Sequence, residues 1–193
     1  AAVGFLAINM VLAGFYTSPL AAQVRGGEPS FTLGFRGDDV VVNDSGGAQS
    51  QAVICTLTTE GLADDQPGAQ GWSFGVQPRG PCRIGGYFTS RMASGSVGVG
   101  GLVQSAGFER TELIGDGAGI TQAVVLSFTT ALTLSPAASP HDLLGLFIET
   151  EAPEGDDCRT CTLNYVEGLQ GEGLPVQVVA TWDGTTYRPE RQS

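Results

Sequence analysis

The sequence contains one Cys-x-x-Cys motif, Cys158 to Cys161, and this spacing could carry thiol–disulfide chemistry or hold a zinc ion. A redox motif needs a positive environment, such as a helix N-terminus, that stabilises a thiolate. Here Asp156-Asp157 precedes the motif and a strand-like run follows it, so its thiols should be less acidic than usual. Zinc would need further ligands, but the other two cysteines are not a close pair. The motif therefore predicts a structural disulfide.

The four cysteines are expected to form two disulfides in an exported protein. Four cysteines allow three connectivities. The short spacing lets Cys158 pair with Cys161 within one turn, which leaves Cys55 to pair with Cys82. This second bridge would tie a strand to the loop after Val76, and loop entropy would make it worth about 3–4 kcal/mol.

Acid–base or nucleophilic catalysis would depend on very few side chains. The chain has one histidine, His141, and no lysine, so at most one histidine-assisted nucleophile could exist. His141 lies in a Ser-Pro-His-Asp turn ahead of a strand, which favours a turn residue capped by Asp142. The pairs Asp38-Asp39, Asp64-Asp65 and Asp156-Asp157 lie in loops, which favours a solvated surface, with calcium ligation as the alternative. We predict no catalytic residue, no metal site and no cofactor.

The composition restricts the classes of partner. The formal net charge is −11, and all nine basic residues are arginines. Binding to nucleic acid or to an anionic membrane surface needs clustered cations, so this charge argues against both. The length of 193 residues suits one domain, or one domain with an appendage.

Residues 1–22 are mostly apolar and carry no charge, and a polar turn-like stretch over 23–30 follows them. Three interpretations stay open: a retained assembly segment, a secretory signal, or a membrane anchor. Assembly is preferred, because an apolar segment of this size needs burial against a neighbouring subunit. The large apolar side chains assigned to the contact are Val3, Phe5, Leu6, Ile8, Met10, Val11, Leu12, Phe15 and Tyr16.

From Phe31 onward the pattern is that of short β-strands separated by Gly, Pro, Asp and Asn. Trp72, Phe74 and Val76 alternate on one face, as do Val124, Leu126 and Phe128. Asp183-Gly184 between two strand-like runs predicts a hairpin in which both turn residues have positive φ. The predicted strands are Phe31–Phe35, Ala52–Thr58, Gly71–Val76, Ser96–Val103, Ile120–Thr130, Asp142–Thr150, Thr160–Val166 and Pro175–Trp182.

This number of short strands predicts an all-β chain folded as an antiparallel β-sandwich or jelly roll. The predicted organisation is an apolar segment over residues 1–22, a linker over 23–30 and the sandwich domain over 31–193.

The stretch from Gln70 to Val76 resembles a strand of cohesin-like domains in secreted bacterial proteins, where it follows a polar loop. The stretch from Leu163 to Leu169, with Gly171, Gly173 and Pro175 after it, resembles the end of the same domains. Ala123–Phe128 and Leu143–Ile148 extend the likeness across roughly Phe31 to Pro189. The resemblance implies a jelly-roll sandwich, related in fold to carbohydrate-binding modules, that docks partner proteins without catalysis.

We therefore expect a non-catalytic structural protein outside the cell or at its surface, joined into a fibre or filament through residues 1–22. Its expected partner is a second copy of itself. The alternative is a docking module for another secreted protein, or a carbohydrate-binding module for a polysaccharide. For sugar binding only Trp72, Trp182 and Tyr187 are plausible aromatic contacts.

Overall fold

A computed structural model describes residues 28–43, 49–89, 105–150, 161–167 and 178–191 of the chain. The apolar segment 1–22, the run Ser96–Val103 and Cys158 lie outside the described residues. What was expected of the assembly segment, and of the domain boundaries that depend on it, therefore stays a prediction.

The described residues form β-strands and one short 3-10 turn, Pro136–Ala138. Among the described residues there is no apolar helix of membrane-spanning length. The strands in chain order are β1 (Ser30–Asn43), β2 (Gln49–Glu60), β3 (Ala69–Arg79), β4 (Cys82–Phe88), β5 (Phe108–Ile114), β6 (Gly119–Val125), β7 (His141–Thr150), β8 (Thr162–Val166), β9 (Val178–Thr181), β10 (Thr186–Tyr187) and β11 (Glu190–Arg191).

The strands form two sheets. Sheet 1 has the order β11-β1-β2-β7-β4, and sheet 2 has the order β10-β9-β3-β6-β5 with β8 also paired to β3. Neighbouring strands are antiparallel except for the parallel pair β1 and β11. The prediction of an all-β sandwich is confirmed, with one parallel pair that the sequence did not indicate.

The core lies between the sheets and follows the predicted alternation along β3. Trp72, Phe74 and Val76 are all buried. The alternation holds for Val124 on β6 and for Leu126 directly after the strand, which are both buried, but Phe128 has 71% of its surface exposed. The prediction for Phe128 was wrong because a turn begins at Ser127, so the period of two no longer governs the direction of the side chain at 128.

The Asp-Gly hairpin is present between β9 and β10, but its geometry differs from the prediction. The Thr181 N–H donates to the Thr185 carbonyl at 2.9 Å, which closes a three-residue loop. Within that loop Gly184 has φ 83°, whereas Asp183 does not have a positive φ. A three-residue loop of this kind combines an ordinary turn with one left-handed residue, so glycine is needed only once.

Three strands, β4, β5 and the two-residue β11, were not predicted. Strand β4 contains Gly85 and Gly86, and its register with β7 shifts between Ile84 and Gly86. Strand β5 is an edge strand with charged side chains that are exposed on both of its sides. Strands β4 and β5 therefore lack the apolar alternation that identifies half-buried strands, since bulges and edges relax it.

Both predicted disulfide pairings were wrong. Cys82 is bonded to Cys161, with 5.9 Å between their Cα atoms, and Cys55 is a free, buried cysteine. Cys55 lies opposite Leu144 in the β2–β7 pair, whereas Cys82 lies opposite Thr150 in the β4–β7 pair, so the two cysteines lie far apart along β7. Cys82 begins β4 in sheet 1 and Cys161 precedes β8 in sheet 2, so the bond joins the two sheets.

Candidate functional site

The outward-facing side of sheet 2 is built from small and aliphatic side chains. Because Trp72, Phe74 and Val76 of β3 face the core, the residues between them face outward. Directly opposite residues of paired strands share a face, so the registers of β3 with β6 and β9 extend this surface. We call it the sheet-2 face, and its residues are Gly71, Ser73, Gly75, Thr121, Ala123, Val125, Val178 and Ala180.

The sheet-2 face is uncharged and partly open to solvent. Six of its eight residues are half-buried, and only Gly71 and Gly75 are buried. A Cβ added at Gly71 would lie 2.7 Å from the Val124 carbonyl oxygen, so glycine is required for β3 to approach β6 there. The side chains of this face are short, so another protein surface could pack closely on it.

Strand β5 forms a charged rim along one side of the sheet-2 face. Phe108 lies opposite Val125 with 44% of its surface exposed, and Arg110 lies opposite Ala123. The Arg110 guanidinium pairs with the Glu112 carboxylate at 2.9 Å, and both side chains are well exposed. An apolar centre with a polar rim is the arrangement of protein–protein interfaces.

A buried hydrogen-bond network supports the sheet-2 face from beneath. Trp72 Nε1 donates to Gln122 Oε1 at 2.9 Å, and Gln122 Nε2 donates to Thr111 Oγ1 at 3.3 Å. These bonds connect β3, β6 and β5. Gln122 is fully buried although it was not singled out from the sequence. The feature of the sequence that could have indicated this role is that Gln122 is a lone amide within the apolar run of β6.

Tyr165 of β8 holds the two sheets together at the other side of β3. Its hydroxyl donates to the Gly34 carbonyl at 2.7 Å, and its ring stacks on Phe35 with 4.3 Å between centroids. Burial raises the pKa of Tyr165 well above its usual value, with the nearby Cys55 adding to the shift. Burial likewise raises the pKa of the Cys55 thiol to about 12, so this cysteine is not a thiolate nucleophile at neutral pH.

A cavity of about 380 Å³ opens between the sheets near the disulfide. Phe35, Val53, Ile148 and Leu163 supply its apolar wall. The remaining lining residues are Ser50, Gln51, Thr150 and the disulfide-bonded Cys161. These lining residues offer no titratable group for acid–base chemistry.

The lone histidine is a structural residue of the core edge. His141 is 4% exposed, and its Nε2 lies 2.8 Å from the Ser135 carbonyl oxygen. Since a carbonyl only accepts, the ring nitrogen donates this bond. Burial lowers the pKa of His141, although the Ser135 carbonyl and Asp142 oppose the shift. His141 is therefore the buried first residue of β7 and not the turn residue that the sequence predicted.

Two of the three acidic pairs that the sequence offered lie in the described part of the chain, and they lie in different elements. Asp64 and Asp65 are exposed in the loop between β2 and β3. Asp38 and Asp39 lie within β1, not in the loop that the sequence indicated, and Asp156-Asp157 lies outside the described residues. Across the described ranges, no group of three or more His, Cys, Asp or Glu side chains is placed to hold a metal ion.

The outward-facing side of sheet 1 carries ion pairs, unlike the sheet-2 face. Arg36 pairs with Asp142 and Arg83 pairs with Glu149, each at 2.7 Å. The first pair reaches across β2, which lies between β1 and β7, and the second pair joins the neighbouring strands β4 and β7. This side of sheet 1 therefore provides a natural comparison surface for experiments on the sheet-2 face.

Comparisons with known proteins give a fold but not a family. No family model matches the chain, and no curated protein matches it. One solved structure that does match is the Coh-OlpC-Doc435 complex, a type I cohesin–dockerin complex from Clostridium thermocellum. The match has a TM-score of 0.51 at 7% identity, and it covers 85% of this chain and 88% of that chain. The likeness supports the cohesin-like sandwich resemblance at the level of the fold.

Proposed function

We propose that this chain is a non-catalytic recognition module of an exported protein, and that it docks a protein partner on the sheet-2 face. The observation that carries the proposal is the uncharged surface of half-buried Ser73, Ala123, Val125, Val178 and Ala180 beside a charged rim. Depletion of charge at the centre of a surface is what distinguishes interface cores from the rest of a protein surface.

The solved relative supports docking as the kind of function. Its structure is that of a cohesin bound to a dockerin, so a sandwich of this fold binds another protein there. The Cys82–Cys161 disulfide supports a place outside the reducing cytoplasm. The sheet-2 face is the specific surface on which docking can be tested.

Site-specific photocrosslinking tests this proposal. A photoreactive phenylalanine analogue is placed at Ser73 on the sheet-2 face, or at Thr58 on the outward side of sheet 1 as the matched control. The labelled chains are then exposed to the extracellular fraction of the source organism. We expect a defined protein adduct from position 73 and none from position 58.

A second variant establishes whether the adduct reflects binding. Ala123→Arg places a charge at the centre of the sheet-2 face and should abolish the position 73 adduct, whereas Thr32→Arg on sheet 1 should preserve it. Equal adducts at both positions, or an adduct that survives Ala123→Arg, would reject the sheet-2 face as the docking surface.

Self-assembly through residues 1–22 is a second proposal, favoured by the absence of any charge among those residues. Burying the nine large apolar side chains in a neighbouring copy would be worth on the order of 15 kcal/mol before ordering costs. Deleting residues 1–22 should yield a folded monomer by light scattering, while the full chain polymerises. A full chain that stays monomeric at high concentration would reject assembly and leave docking unaffected.

A further inference from the structure

Two exposed aromatic side chains lie at one end of sheet 2, just beyond Val125 and Ala180, where the sheet-2 face ends. Phe128 is 71% exposed and Trp182 is 49% exposed, which makes them the most exposed of the large hydrophobic residues in the described part of the chain. Phe128 follows the end of β6 and Trp182 follows the end of β9, and both of these strands flank β3. Two strand spacings, about 10 Å, separate the ends of β6 and β9 from which these two residues continue.

The turn that carries Phe128 is firmly held. Ser127 Oγ accepts hydrogen bonds from the N–H groups of Thr129 and Thr130, at 3.2 and 3.0 Å. Gln70 Nε2 donates to the carbonyls of Ser127 and Thr130, at 2.9 and 3.1 Å. A Cβ added at Gly107 would lie 2.9 Å from the Phe128 ring, so the ring rests directly on that backbone. Phe128 is therefore presented to solvent in a fixed position.

The loop that carries Trp182 is held in a comparable way. The Asp183 carboxylate accepts from Thr181 Oγ1 at 2.7 Å and from the Thr185 N–H at 3.0 Å. The bond from Thr181 is the main reason that the pKa of Asp183 lies below its usual value, so the group is ionised at neutral pH. Preorganised aromatic side chains of this kind lose little freedom when a partner binds.

Several carboxylates lie at the same end of the sandwich as the two aromatic residues. The loop between β2 and β3 reaches the same end of the sandwich, because β2 ends and β3 begins there, and it carries exposed Asp64 and Asp65. Glu60 ends β2, and Asp183 is adjacent to Trp182. The described residues 60–70, 126–141 and 181–187 of this end contain no arginine, so these carboxylates have no cationic partner among them.

We propose that this end of the sandwich, formed by Phe128, Trp182, Glu60, Asp64, Asp65 and Asp183, binds a basic peptide segment of a partner protein. Arginine or lysine side chains would stack on the two rings, where a cation is attracted to the aromatic face. The carboxylates complement their charge and accept their hydrogen bonds. The proposal goes beyond docking on the sheet-2 face and does not depend on it.

The two tryptophans allow direct measurement. Trp72 is 2% exposed, whereas Trp182 is 49% exposed, so iodide should quench the fluorescence of Trp182 alone. The probe is a capped nonapeptide in which arginine alternates with serine, and the same peptide with glutamate in place of arginine is its control. We expect the arginine peptide to shield Trp182 from iodide, and the glutamate peptide to have no effect.

Matched charge variants test the site itself by calorimetric titration of the arginine peptide. The double variant Asp64→Asn, Asp65→Asn should weaken binding about tenfold, because two exposed charges are removed. Phe128→Ala and Trp182→Ala should each weaken it severalfold. Asp116→Asn is the control at the opposite end of sheet 2. It removes one carboxylate, and asparagine tolerates the positive φ of 31° found there.

The outcomes separate the alternatives. If Asp116→Asn weakens peptide binding as much as the Asp64, Asp65 variant does, the attraction is an unspecific one to an acidic protein, and the proposal would be overturned. The neutral sugar cellohexaose tests the other occupant. If it binds, and if the Asp64, Asp65 variant retains that binding while Trp182→Ala abolishes it, the surface would be assigned to a polysaccharide instead. Ala123→Arg should leave peptide binding unchanged, so failure of the sheet-2 face as a docking surface would not affect this result.

Discussion

Trp72 and Gln122 are joined by a hydrogen bond of 2.9 Å in the interior of the sandwich, directly beneath the sheet-2 face. Trp72 is 2% exposed and Gln122 is fully buried, so neither polar atom can exchange its partner for water. The bond joins the neighbouring strands β3 and β6 of sheet 2. It therefore bears on the stability of the sheet and on the position of the strands that carry the surface above it.

Replacing Gln122 by leucine is expected to lower the free energy of unfolding by about 1–3 kcal/mol. Leucine is apolar, so the buried Trp72 N–H loses its acceptor and retains the cost of its desolvation. Denaturant unfolding followed by tryptophan fluorescence measures the change. Gln77→Leu is the control, because Gln77 is a half-buried residue of β3 outside the core, and it should change stability by less than about 0.5 kcal/mol. Equal effects would show that the hydrogen bond contributes nothing specific.

The disulfide is expected to stabilise the sandwich by about 4–5 kcal/mol, because it closes a loop of 79 residues in the unfolded chain. Cys82→Ser, Cys161→Ser and the double variant should lose the same stability, since each removes one and the same bond. Non-reducing peptide mapping should recover Cys82 linked to Cys161. The Cys55 thiol should react with labelling reagents only after unfolding. A recovered peptide that links Cys55 to any other cysteine would contradict the pairing.

The Tyr165 hydroxyl is expected to matter more for stability than the hydroxyl of an exposed tyrosine. Tyr165→Phe leaves the buried Gly34 carbonyl without its donor and should cost about 1–2 kcal/mol while preserving the ring stacking on Phe35. Tyr87→Phe is the matched control. Tyr87 is 41% exposed and its bond to the Thr111 carbonyl is long, at 3.4 Å, so its loss should cost less than about 0.5 kcal/mol. Thermal unfolding of both variants tests the difference.

Stability should decrease as the pH falls below the ordinary pKa of histidine, about 6.5. The pKa of His141 is lowered in the folded protein, chiefly by burial, so the unfolded chain binds a proton in a pH range where the folded protein does not. Protonation therefore favours unfolding from about pH 6.5 down to the lower pKa of the folded state, and the loss stops there.

His141→Gln tests the pH dependence, because it removes the only histidine of the chain and keeps a side chain that can donate to the Ser135 carbonyl. Melting temperatures are compared between pH 7.5 and pH 5. The variant should show a flatter profile than the wild type in this range. Asp183 has a lowered pKa, so its contribution is lost only at more acidic pH and does not overlap. Parallel profiles would contradict the assignment to His141.

Local pattern was sufficient for most strands of the sandwich. The alternation of Trp72, Phe74 and Val76 predicted both a strand and the face that it buries, because successive side chains of a strand point to opposite sides. The Asp183-Gly184 sequence predicted the hairpin for a similarly local reason.

Tertiary structure decided which local features become neighbours. Sequence spacing suggested a Cys158–Cys161 bond, but Cys161 bonds to Cys82, because β4 and β8 bring them together across the two sheets. The sheet-2 face is likewise a product of register, since Ser73 becomes part of a surface only when Ala123 and Val178 lie opposite it. Phe128 was expected in the core and is exposed because β6 ends before it. Periodicity is a property of a few consecutive residues, whereas pairing, register and strand ends are set by the packing of the whole chain.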